Sequence, residues 1–575
     1  MNGRSSPAAR KALVLGDDTR SFLSVVRSLG RAGIEVHVAW FAPGVPALRS
    51  RYVARAHEIP AFAPGENDWQ HALAALMRRE GFDLVIPCDD QRGLPLAPQR
   101  AELERWGRIW CPAPEALEVL GDKHKTTELA RSLGLPVPRE AIVSDRTRLD
   151  ALRDDFTPPL ILKPPSSYTL PNVETRQQVR RADTWEAADL LLEEMLADGP
   201  VALQEFCRGV GIGVELLLSE GTPLLAFQHV RLHEPLHGGG SSYRRGAPVS
   251  TDLFDAALKL LGTLRYTGVA MVEFKRDPVT GRSVLLEVNA RFWGSLPLAL
   301  ASGADFPLAL FQLLVEGRTE IANHPRPGLC ARNLRADARW HLTNFRADRS
   351  DPTLNSRPWP GVIRETCASL LTGRERSDTF TLDDPAPGFA EAGELVRGLA
   401  RNGRLLASRA HAPVGRRRRR RLQAAARRAF RGSGRVLFVC KGNIGRSPFA
   451  EAIARRLLEE GREITSAGLL EAGRRSPADA VAAAAMWDVD LTKHRSRAVS
   501  AELVRQSDAI FVFDQLNYRH MAARFPEARD RLHLLGALDA GGPLFVPDPW
   551  GRGADVYATT YRRIAEALAA AITGE

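Results

Sequence analysis

The chain begins with apolar runs of strand length, separated by polar turns and one helical segment. Residues 11–16, 34–40 and 84–87 are the apolar runs, and each has the length of a buried strand. Between the first two runs, apolar residues recur at helical spacing and a glycine then ends the segment: Phe22, Val25, Val26, Leu29 and Gly33. This strand–helix–strand order predicts a small parallel α/β domain over residues 1–114.

Changes in pattern divide the rest of the chain into further segments. Strands and helices alternate over residues 115–325. Residues 326–410 are rich in Pro, Arg and Asp and have weaker periodicity, so we interpret them as an appendage to the preceding domain. Residues 411–433 form a basic linker, and residues 434–575 have the pattern of a compact α/β domain. A chain of 575 residues is too long for a single core, which agrees with this division.

The net charge of +11 comes mainly from one short segment. Ten arginines and no acids lie between His411 and Arg435, which leaves about one net charge for the rest of the chain. A basic surface of the kind that binds nucleic acid is therefore excluded. The six consecutive arginines from Arg416 to Arg421 most often mean a solvated linker. The alternatives are contact with an anionic membrane, aided by a weakly amphipathic helix over residues 422–430, contact with nucleic acid, and a landing site for phosphorylated partners.

Composition predicts a cytoplasmic protein without disulfides. The apolar share of 44% and the charged share of 26% are ordinary for a globular protein. The apolar runs are far shorter than a membrane span, and the first 11 residues lack the apolar core of a signal peptide. The six cysteines are scattered without a Cys-x-x-Cys pair, which argues against a cysteine-based zinc site.

The residues around Cys440 carry the clearest chemistry. An apolar run over 436–439 leads into Cys440, a loop with two glycines follows, and a helix begins near Arg446. This order places the thiol in a ring of backbone N–H groups at a helix N-terminus, which stabilises a thiolate nucleophile. Arg446 offers a planar fork for phosphate oxygens, Asn443 can hold the loop, and Ser447 suits the N-cap. A buried, inert cysteine is the alternative.

Residues 434–575 closely resemble the low-molecular-weight protein tyrosine phosphatases, which have a doubly wound parallel α/β fold. The loop over residues 440–448 carries the resemblance, and three further segments match, at residues 466–468, 494–496 and 548–550.

The resemblance implies a role for each loop residue. Cys440 would form a cysteinyl-phosphate, and Arg446 would bind its oxygens. Ser447 would stabilise the thiolate, and Asn443 would hold the loop. Asp548 would protonate the leaving phenolate and then activate water as a general base. The implied substrate is a phosphotyrosine protein or a small aryl phosphate.

Two departures from the family pattern affect this interpretation. Gly445 stands where many members have a second cysteine, so a disulfide within the loop is not expected. Residues 469–471 lack the aromatic residue often found there, which leaves the substrate preference open. Arsenate reductases share the fold and the loop, but they need additional cysteines to pass a disulfide outward. Cys440 is the last cysteine of the chain, so arsenate reduction is disfavoured.

A second set of charged residues suits a polyphosphate and a metal ion. Lys123 and Lys163 can neutralise phosphates. Glu273 and Glu287 stand on strands predicted to be adjacent and offer hard oxygens to Mg²⁺, and Asn289 shares the face of Glu287. Taken singly, each of these residues is more often a surface charge, so the prediction rests on their order.

That order resembles the ATP-grasp superfamily over roughly residues 1–325, including the α/β domain that precedes the ATP-grasp fold. The resemblance implies that Lys123 and Lys163 contact ATP phosphates. It implies that Glu273, Glu287 and Asn289 ligate Mg²⁺, with Mn²⁺ as an alternative. The resemblance also implies an adenine hinge formed by Gln204, Glu205, Phe206 and Cys207. It further implies that Glu215 binds ribose and that Arg231 and Arg291 bind phosphate.

Two points stay open in this half of the chain. Lys125 is a close neighbour of Lys123, and the sequence does not rank them. The loop over residues 164–171 contains no glycine, although ATP-grasp enzymes usually carry a glycine-rich loop there.

ATP-grasp enzymes typically activate a carboxylate as an acyl phosphate, which an amine or thiol then attacks. The resemblance therefore implies a carboxylate–amine ligase of unknown substrates, fused to a phosphatase in one bifunctional α/β and α+β multidomain chain. The alternative is a phosphatase regulated by a nucleotide-binding domain.

Overall fold

A computed structural model describes most of the chain, and the chain divides into two compact units, residues 1–398 and 399–575. The described residues are 10–40, 44–145, 149, 151–170, 173–236, 238–322, 324–345, 347, 354–409, 416–432, 434–458, 461–470, 472–539, 541–550 and 553–573.

The first unit begins with a parallel sheet, as the apolar pattern predicts. Its strands are β1 (Lys11–Leu15), β2 (Glu35–Ala39), β3 (Val53–His57), β4 (Leu84–Pro87) and β5 (Arg108–Ile109). Their order is β3-β2-β1-β4-β5, and all neighbours are parallel. The helices of this part are α1 (Ser21–Arg31), α2 (Asp68–Glu80) and α3 (Asp90–Leu103). Ala12 and Leu13 of β1 face two different cores, so both faces of the sheet are covered.

A smaller antiparallel sheet follows. Its strands are β6 (Glu140–Val143), β7 (Leu160–Lys163), β8 (Arg180–Ala182) and β9 (Val201–Glu205), in the order β6-β9-β7-β8. Helix α6 (Trp185–Met195) packs on this sheet, whereas α4 (Pro114–Leu120) and α5 (Lys123–Ser132) pack on the larger sheet that follows.

The largest sheet completes the first unit, with the order β14-β13-β10-β11-β12-β15-β16. Its strands are β10 (Val210–Ser219), β11 (Thr222–His233), β12 (Tyr243–Ala247), β13 (Gly268–Arg276), β14 (Ser283–Asn289), β15 (Cys330–Arg332) and β16 (Glu375–Ser377). The helices are α7 (Thr251–Thr263), α8 (Leu296–Ser302), α9 (Phe306–Glu316), α10 (Leu334–Phe345), α11 (Trp359–Leu371) and α12 (Ala386–Arg409), of which residues 386–398 belong to this unit. The neighbours β13 and β14 pair Glu273 directly with Glu287, as the predicted metal set requires.

The second unit is a parallel α/β fold, as expected. Its strands are β17 (Arg435–Cys440), β18 (Glu463–Gly468), β19 (Ala509–Val512) and β20 (Leu532–Leu534), in the parallel order β18-β17-β19-β20. The helices are α13 (Arg416–Gly432), α14 (Arg446–Leu457), α15 (Ala478–Ala485), α16 (Ala501–Gln506), α17 (Gln515–Arg524) and α18 (Ala554–Thr573). Phe438 and Val439 of β17 face opposite cores, which makes the sheet doubly wound.

The arginine-rich segment departs from the expectation of a solvated linker. Helix α13 packs onto the second unit, where Ala426 and Phe430 are buried in its core. Arg427 donates to the Leu538 carbonyl at 2.9 Å. Ala426 and Phe430, two of the apolar side chains that an amphipathic membrane helix would expose, are therefore used inside the fold, whereas Leu422 is exposed.

Within the described residues, no single helix has both the length and the hydropathy to cross a membrane. One bent pair of helices, Leu296–Ser302 and Phe306–Glu316, passes that test only when the two are taken together.

Candidate functional sites

Cys440 lies where the strand order of its sheet reverses. β18 and β19 flank β17 on opposite sides, and Cys440 is the last residue of β17. In open parallel sheets, ligands bind at the carboxyl ends of the strands at such a point. The next helix, α14, begins at Arg446 after a short loop, so the predicted strand–loop–helix order is present.

Two groups direct hydrogen-bonding atoms at the sulfur of Cys440. The backbone N–H of Asn443 donates to Sγ over 3.2 Å, and Ser447 Oγ lies 3.1 Å from Sγ. The sequence predicts Ser447 as the helix N-cap, but that position belongs to Gly445. Ser447 is instead the second helical residue, and its hydroxyl faces the sulfur. Both contacts stabilise negative charge on sulfur.

Asn443 holds the loop through four contacts. Its Nδ2 donates to Ser447 Oγ at 2.9 Å and to Ser466 Oγ at 2.8 Å. Its Oδ1 accepts from the backbone N–H of Arg497 at 2.8 Å, and its carbonyl oxygen lies 2.7 Å from His494 Nε2. The residue adopts φ +50°, a left-handed conformation that asparagine tolerates better than most residues. The loop shape therefore depends on one buried amide.

The guanidinium of Arg446 is fixed by two carboxylates and a carbonyl. Nη1 donates to Asp514 Oδ2 at 2.7 Å and to the Val546 carbonyl at 3.0 Å, and Nη2 lies 3.0 Å from Asp548 Oδ2. Burial alone would lower the pKa of Arg446, but Cys440, Asp548 and Asp514 raise it overall. Arg446 and Asp548 thus lie at one thiol, as a phosphoryl-transfer site requires.

The entrance to this site carries an aromatic ring and a cation. Trp550 is 51% exposed, and the Arg474 guanidinium carbon lies 5.7 Å from the centre of its ring. The same guanidinium reaches the loop, because a Cβ built on Gly442 would lie 3.3 Å from Arg474 Nη1. Asp548 is itself partly open to solvent, with its side chain 43% exposed.

The sequence interpretation missed Asp514 and Arg474. Asp514 follows the apolar run of β19 directly, at the carboxyl end of the strand beside β17. The strand-end argument that identifies Cys440 would also have identified Asp514. Arg474 lies in the segment between β18 and α15, and no residue pattern marks it.

In the first unit, the predicted phosphate and metal residues converge on Glu287. Burial raises the pKa of Glu287, but Lys123, Lys163, Arg291 and Arg231 act more strongly and lower it. The carboxylate is therefore ionised, with four cations around it.

The two predicted phosphate lysines have their ammonium groups inside the fold. Lys123 Nζ donates to Ser167 Oγ at 3.1 Å, and Lys163 Nζ lies 3.5 Å from the Leu286 carbonyl. Burial lowers the pKa of both lysines. Lys125 instead donates to an exposed carboxylate, that of Glu118, at 2.6 Å, so the structure favours Lys123 for the inner position.

The donor set for a metal ion is two carboxylates and an amide. Asn289 Nδ2 donates to Glu273 Oε1 at 3.1 Å, and Arg231 Nη2 lies 2.5 Å from Glu273 Oε2. Glu287 makes no such close ion pair among the described residues. Oxygen donors of this kind suit Mg²⁺, with Glu287 the more available carboxylate.

A cavity opens beside Glu287. Arg291 lines it and donates from Nε to Asp90 Oδ2 at 2.8 Å, which joins the segment after β14 to the start of α3. Lys123, Asn289 and Ser167 also line this cavity. The glycine-free loop thus supplies a serine hydroxyl to the cavity wall.

The predicted adenine hinge lies at the end of β9, and none of its members lines that cavity. Gln204 Nε2 donates to Glu140 Oε2 at 3.1 Å, and Glu205 accepts from Arg139 Nε at 3.0 Å. The ring of Phe206 lies 4.9 Å from the guanidinium carbon of Arg181. Burial raises the pKa of the half-buried Cys207 thiol.

Glu215 does not fit the ribose role that the resemblance implies. It is fully buried, and its Oε1 lies 2.9 Å from His229 Nδ1 and 2.8 Å from Ser295 Oγ. A ribose could not reach a carboxylate so enclosed, so this expectation is corrected to an internal hydrogen-bonding role.

Comparison with known proteins separates the two units. The model of the family described as low molecular weight phosphotyrosine protein phosphatase matches residues 435–573. The low molecular weight protein-tyrosine-phosphatase Wzb of Salmonella typhi is 33% identical over 131 residues, which are 22% of this chain and 84% of the relative.

The first unit is similar to other proteins. The carbamoyl phosphate synthase large chain of Archaeoglobus fulgidus is 25% identical over 256 residues, which are 41% of this chain and 23% of that relative. The chain therefore spans about a quarter of that relative's length. A solved L-amino acid ligase from Bacillus licheniformis is 17% identical with a TM-score of 0.44, and the match covers 56% of this chain and 80% of the ligase.

Proposed function

Because this chain belongs, through residues 435–573, to the low-molecular-weight phosphotyrosine protein phosphatase family, we propose that its second unit hydrolyses aryl phosphate esters. The observation that carries this proposal is the position of the Cys440 sulfur, 3.2 Å from the Asn443 N–H and 3.1 Å from Ser447 Oγ. Substrates are phosphotyrosine side chains or small aryl phosphates.

The reaction has two steps. In the first, the Cys440 thiolate attacks phosphorus, a sulfur–phosphorus bond forms, and the bond to the aryl oxygen breaks. Arg446 binds the equatorial oxygens, and Asp548 gives its proton to the departing phenolate. In the second, Asp548 takes a proton from water, which attacks phosphorus and releases inorganic phosphate and the thiolate.

A comparison of cysteine variants tests this proposal. Release of p-nitrophenol from p-nitrophenyl phosphate is expected for the wild type and not for Cys440→Ser. Cys367→Ser, which changes an exposed thiol elsewhere in the chain, should match the wild type. Equal rates in the wild type and Cys440→Ser would rule out Cys440 as the nucleophile.

We further propose that the first unit binds Mg-ATP and activates a carboxylate for attack by an amine. The convergence of Lys123, Lys163 and Arg291 on Glu287 supports this assignment. Lys123 and Lys163 would bind phosphates, and Glu273, Glu287 and Asn289 would hold Mg²⁺, which supplies charge neutralisation at the transferring phosphoryl group. Arg291 would orient that group.

Titration with Mg-ATP tests the binding step. Glu287→Gln should weaken binding strongly, whereas Glu118→Gln, at the exposed partner of Lys125, should leave it unchanged. ADP release that depends on an added carboxylate and amine would support ligation. If ATP instead changes the phosphatase rate without ADP release, the regulatory alternative is correct.

A further inference from the structure

Two histidines and a glutamate meet in the first sheet, away from both sites described above. His37 lies in the middle of β2, His57 ends β3, and Glu80 ends α2. A ring nitrogen of each histidine and a carboxylate oxygen of Glu80 all lie within 4.8 Å of one another. Neither proposed activity uses these residues.

The tautomer of His37 follows from its neighbour. His37 Nε2 lies 2.8 Å from Glu35 Oε1, and an ionised carboxylate can only accept a hydrogen bond, so the ring nitrogen is the donor. Nε2 therefore carries the proton, and the lone pair of Nδ1 faces the second histidine. A carboxylate that orients a histidine in this way is the usual outer partner of a metal ligand.

His57 completes a pair of nitrogen donors. Its Nε2 lies 2.9 Å from His37 Nδ1, so a proton of His57 occupies the space between the two rings. Two ligands on a tetrahedral zinc ion, each about 2.0 Å from it, lie about 3.3 Å apart. A shift of a few tenths of an ångström therefore converts the hydrogen bond into a pair of metal bonds.

Glu80 offers the third donor. Arg79 Nε lies 3.0 Å and Arg55 Nη1 3.4 Å from Glu80 Oε1, and neither of these contacts uses Oε2. Both arginine side chains are more than 60% exposed, so they can turn into solvent when a cation binds. Their charge opposes binding, and it is offset by the carboxylates of Glu35 and Glu80.

We propose that His37 Nδ1, His57 Nε2 and Glu80 form a binding site for a divalent cation of the zinc type. Two imidazoles and one carboxylate suit Zn²⁺, Co²⁺ or Ni²⁺ and not Mg²⁺. On binding, the Nε2 proton of His57 is lost to water and Nδ1 takes up a proton, so the ring stays neutral.

The site has a route to solvent and an apolar wall. His57 and Glu80 are only partly buried, so water can fill a fourth position. The ring of Phe82 packs edge-on against His37 at 5.2 Å between centroids. A bound ion would tie β2, β3 and α2 together, which makes a stabilising role the expected one.

Titration of the full chain with Zn²⁺ and Co²⁺ tests the site. The wild type should bind one equivalent more than His57→Gln, and Glu35→Gln should bind about ten- to a hundredfold more weakly, as expected for loss of an outer partner. His71→Gln, at an exposed histidine of the same helix as Glu80, is the matched control and should behave as the wild type.

Two further measurements distinguish metal binding at this site from metal binding at a cysteine thiol. The Co²⁺ complex should show d–d absorption that persists in Cys440→Ser, and Zn²⁺ should raise the unfolding temperature of the wild type and not of His57→Gln. Equal stoichiometry in the wild type and His57→Gln, or loss of all Co²⁺ absorption in Cys440→Ser, would overturn the proposal.

Discussion

The hydroxyl oxygen of Ser447 lies 3.1 Å from the sulfur of Cys440, and both side chains are buried. The same hydroxyl accepts from Asn443 Nδ2 at 2.9 Å, and its own proton can reach either the sulfur at 3.1 Å or the Ala467 carbonyl at 3.4 Å, of which the sulfur is the nearer. Ser447 therefore contacts the Cys440 thiol and does not cap the helix.

We expect Ser447→Ala to lower the turnover of aryl phosphates roughly ten- to a hundredfold, because a hydrogen bond to a charged group contributes about 1.5–3 kcal/mol. The pH profile of iodoacetamide alkylation at Cys440 should shift upward in this variant. Ser466→Ala removes the other acceptor of Asn443 without touching sulfur, and its alkylation profile should stay close to that of the wild type. Identical profiles for Ser447→Ala and the wild type would contradict the assigned contact.

Helix α13 is expected to be essential for the stability of the second unit. Phe430 is fully buried and its ring lies 5.6 Å from that of Phe511, edge to face. Phe430→Ala should therefore lower the free energy of unfolding by about 3 kcal/mol or more. Leu422→Ala, on the exposed side of the helix, should change it by less than about 0.5 kcal/mol. Denaturation followed by loss of phosphatase activity measures both, and equal losses would contradict the packing.

Arg474 should favour substrates with acidic residues beside the phosphotyrosine, since its guanidinium lies between the loop and Trp550. Arg474→Gln should reduce kcat/KM for an acidic peptide about two- to fivefold, as expected for an exposed charge pair. The rate with p-nitrophenyl phosphate should not change. Arg519→Gln, at an exposed arginine of α17, is the control. The preference should shrink at high salt, and a peptide series without any charge preference would refute it.

Asp89 should make the first unit less stable as pH rises. Burial raises the pKa of Asp89 from its ordinary 3.8 to about 6. The folded state then binds more protons than the unfolded state between pH 4 and 6, so stability falls as pH rises through that window. Relative to Asp89→Asn, the wild type should lose up to about 3 kcal/mol across it.

Asparagine keeps the helix cap, because Asp89 accepts from the Arg92 backbone N–H at the start of α3. It loses the ion pair of Asp89 Oδ2 with Arg92 Nη1 at 3.0 Å, so the comparison uses the pH dependence of the two proteins and not their absolute stability. Tryptophan fluorescence reports mainly on this unit, which holds eight of the ten tryptophans of the chain. Parallel stability curves for the two proteins from pH 4 to 7 would contradict the raised pKa.

The parts of the fold with strong apolar periodicity could be predicted from the sequence. The run at residues 84–87 became β4 without change, and the helix over Phe22 to Leu29 became α1. Helix α13 was missed as a packed element because its nine arginines mask a sparse apolar stripe of which Ala426 and Phe430 are the buried members. The composition of this segment favours a solvent-exposed helix, and its burial follows only from packing against the rest of the second unit.

The site residues also differ in whether the sequence could predict them. Residues in one loop, such as Cys440, Asn443 and Arg446, could be predicted because local order fixes their neighbours. Glu215 was placed wrongly, because alternation along β10 says that it faces one side of the sheet but not that this side is closed core. Asp514 was missed because it reaches Arg446 from 68 residues away.

The most direct test of the central claim is a rapid-quench mass measurement of the full chain reacting with p-nitrophenyl phosphate. We expect the Asp548→Asn variant to accumulate a phosphoryl group on the peptide that contains Cys440, because that variant lacks the base for the second step. The adduct should be absent from Cys440→Ser. The account would be contradicted if the wild type hydrolyses the substrate but the phosphoryl group is found on a residue other than Cys440, or on no residue at all.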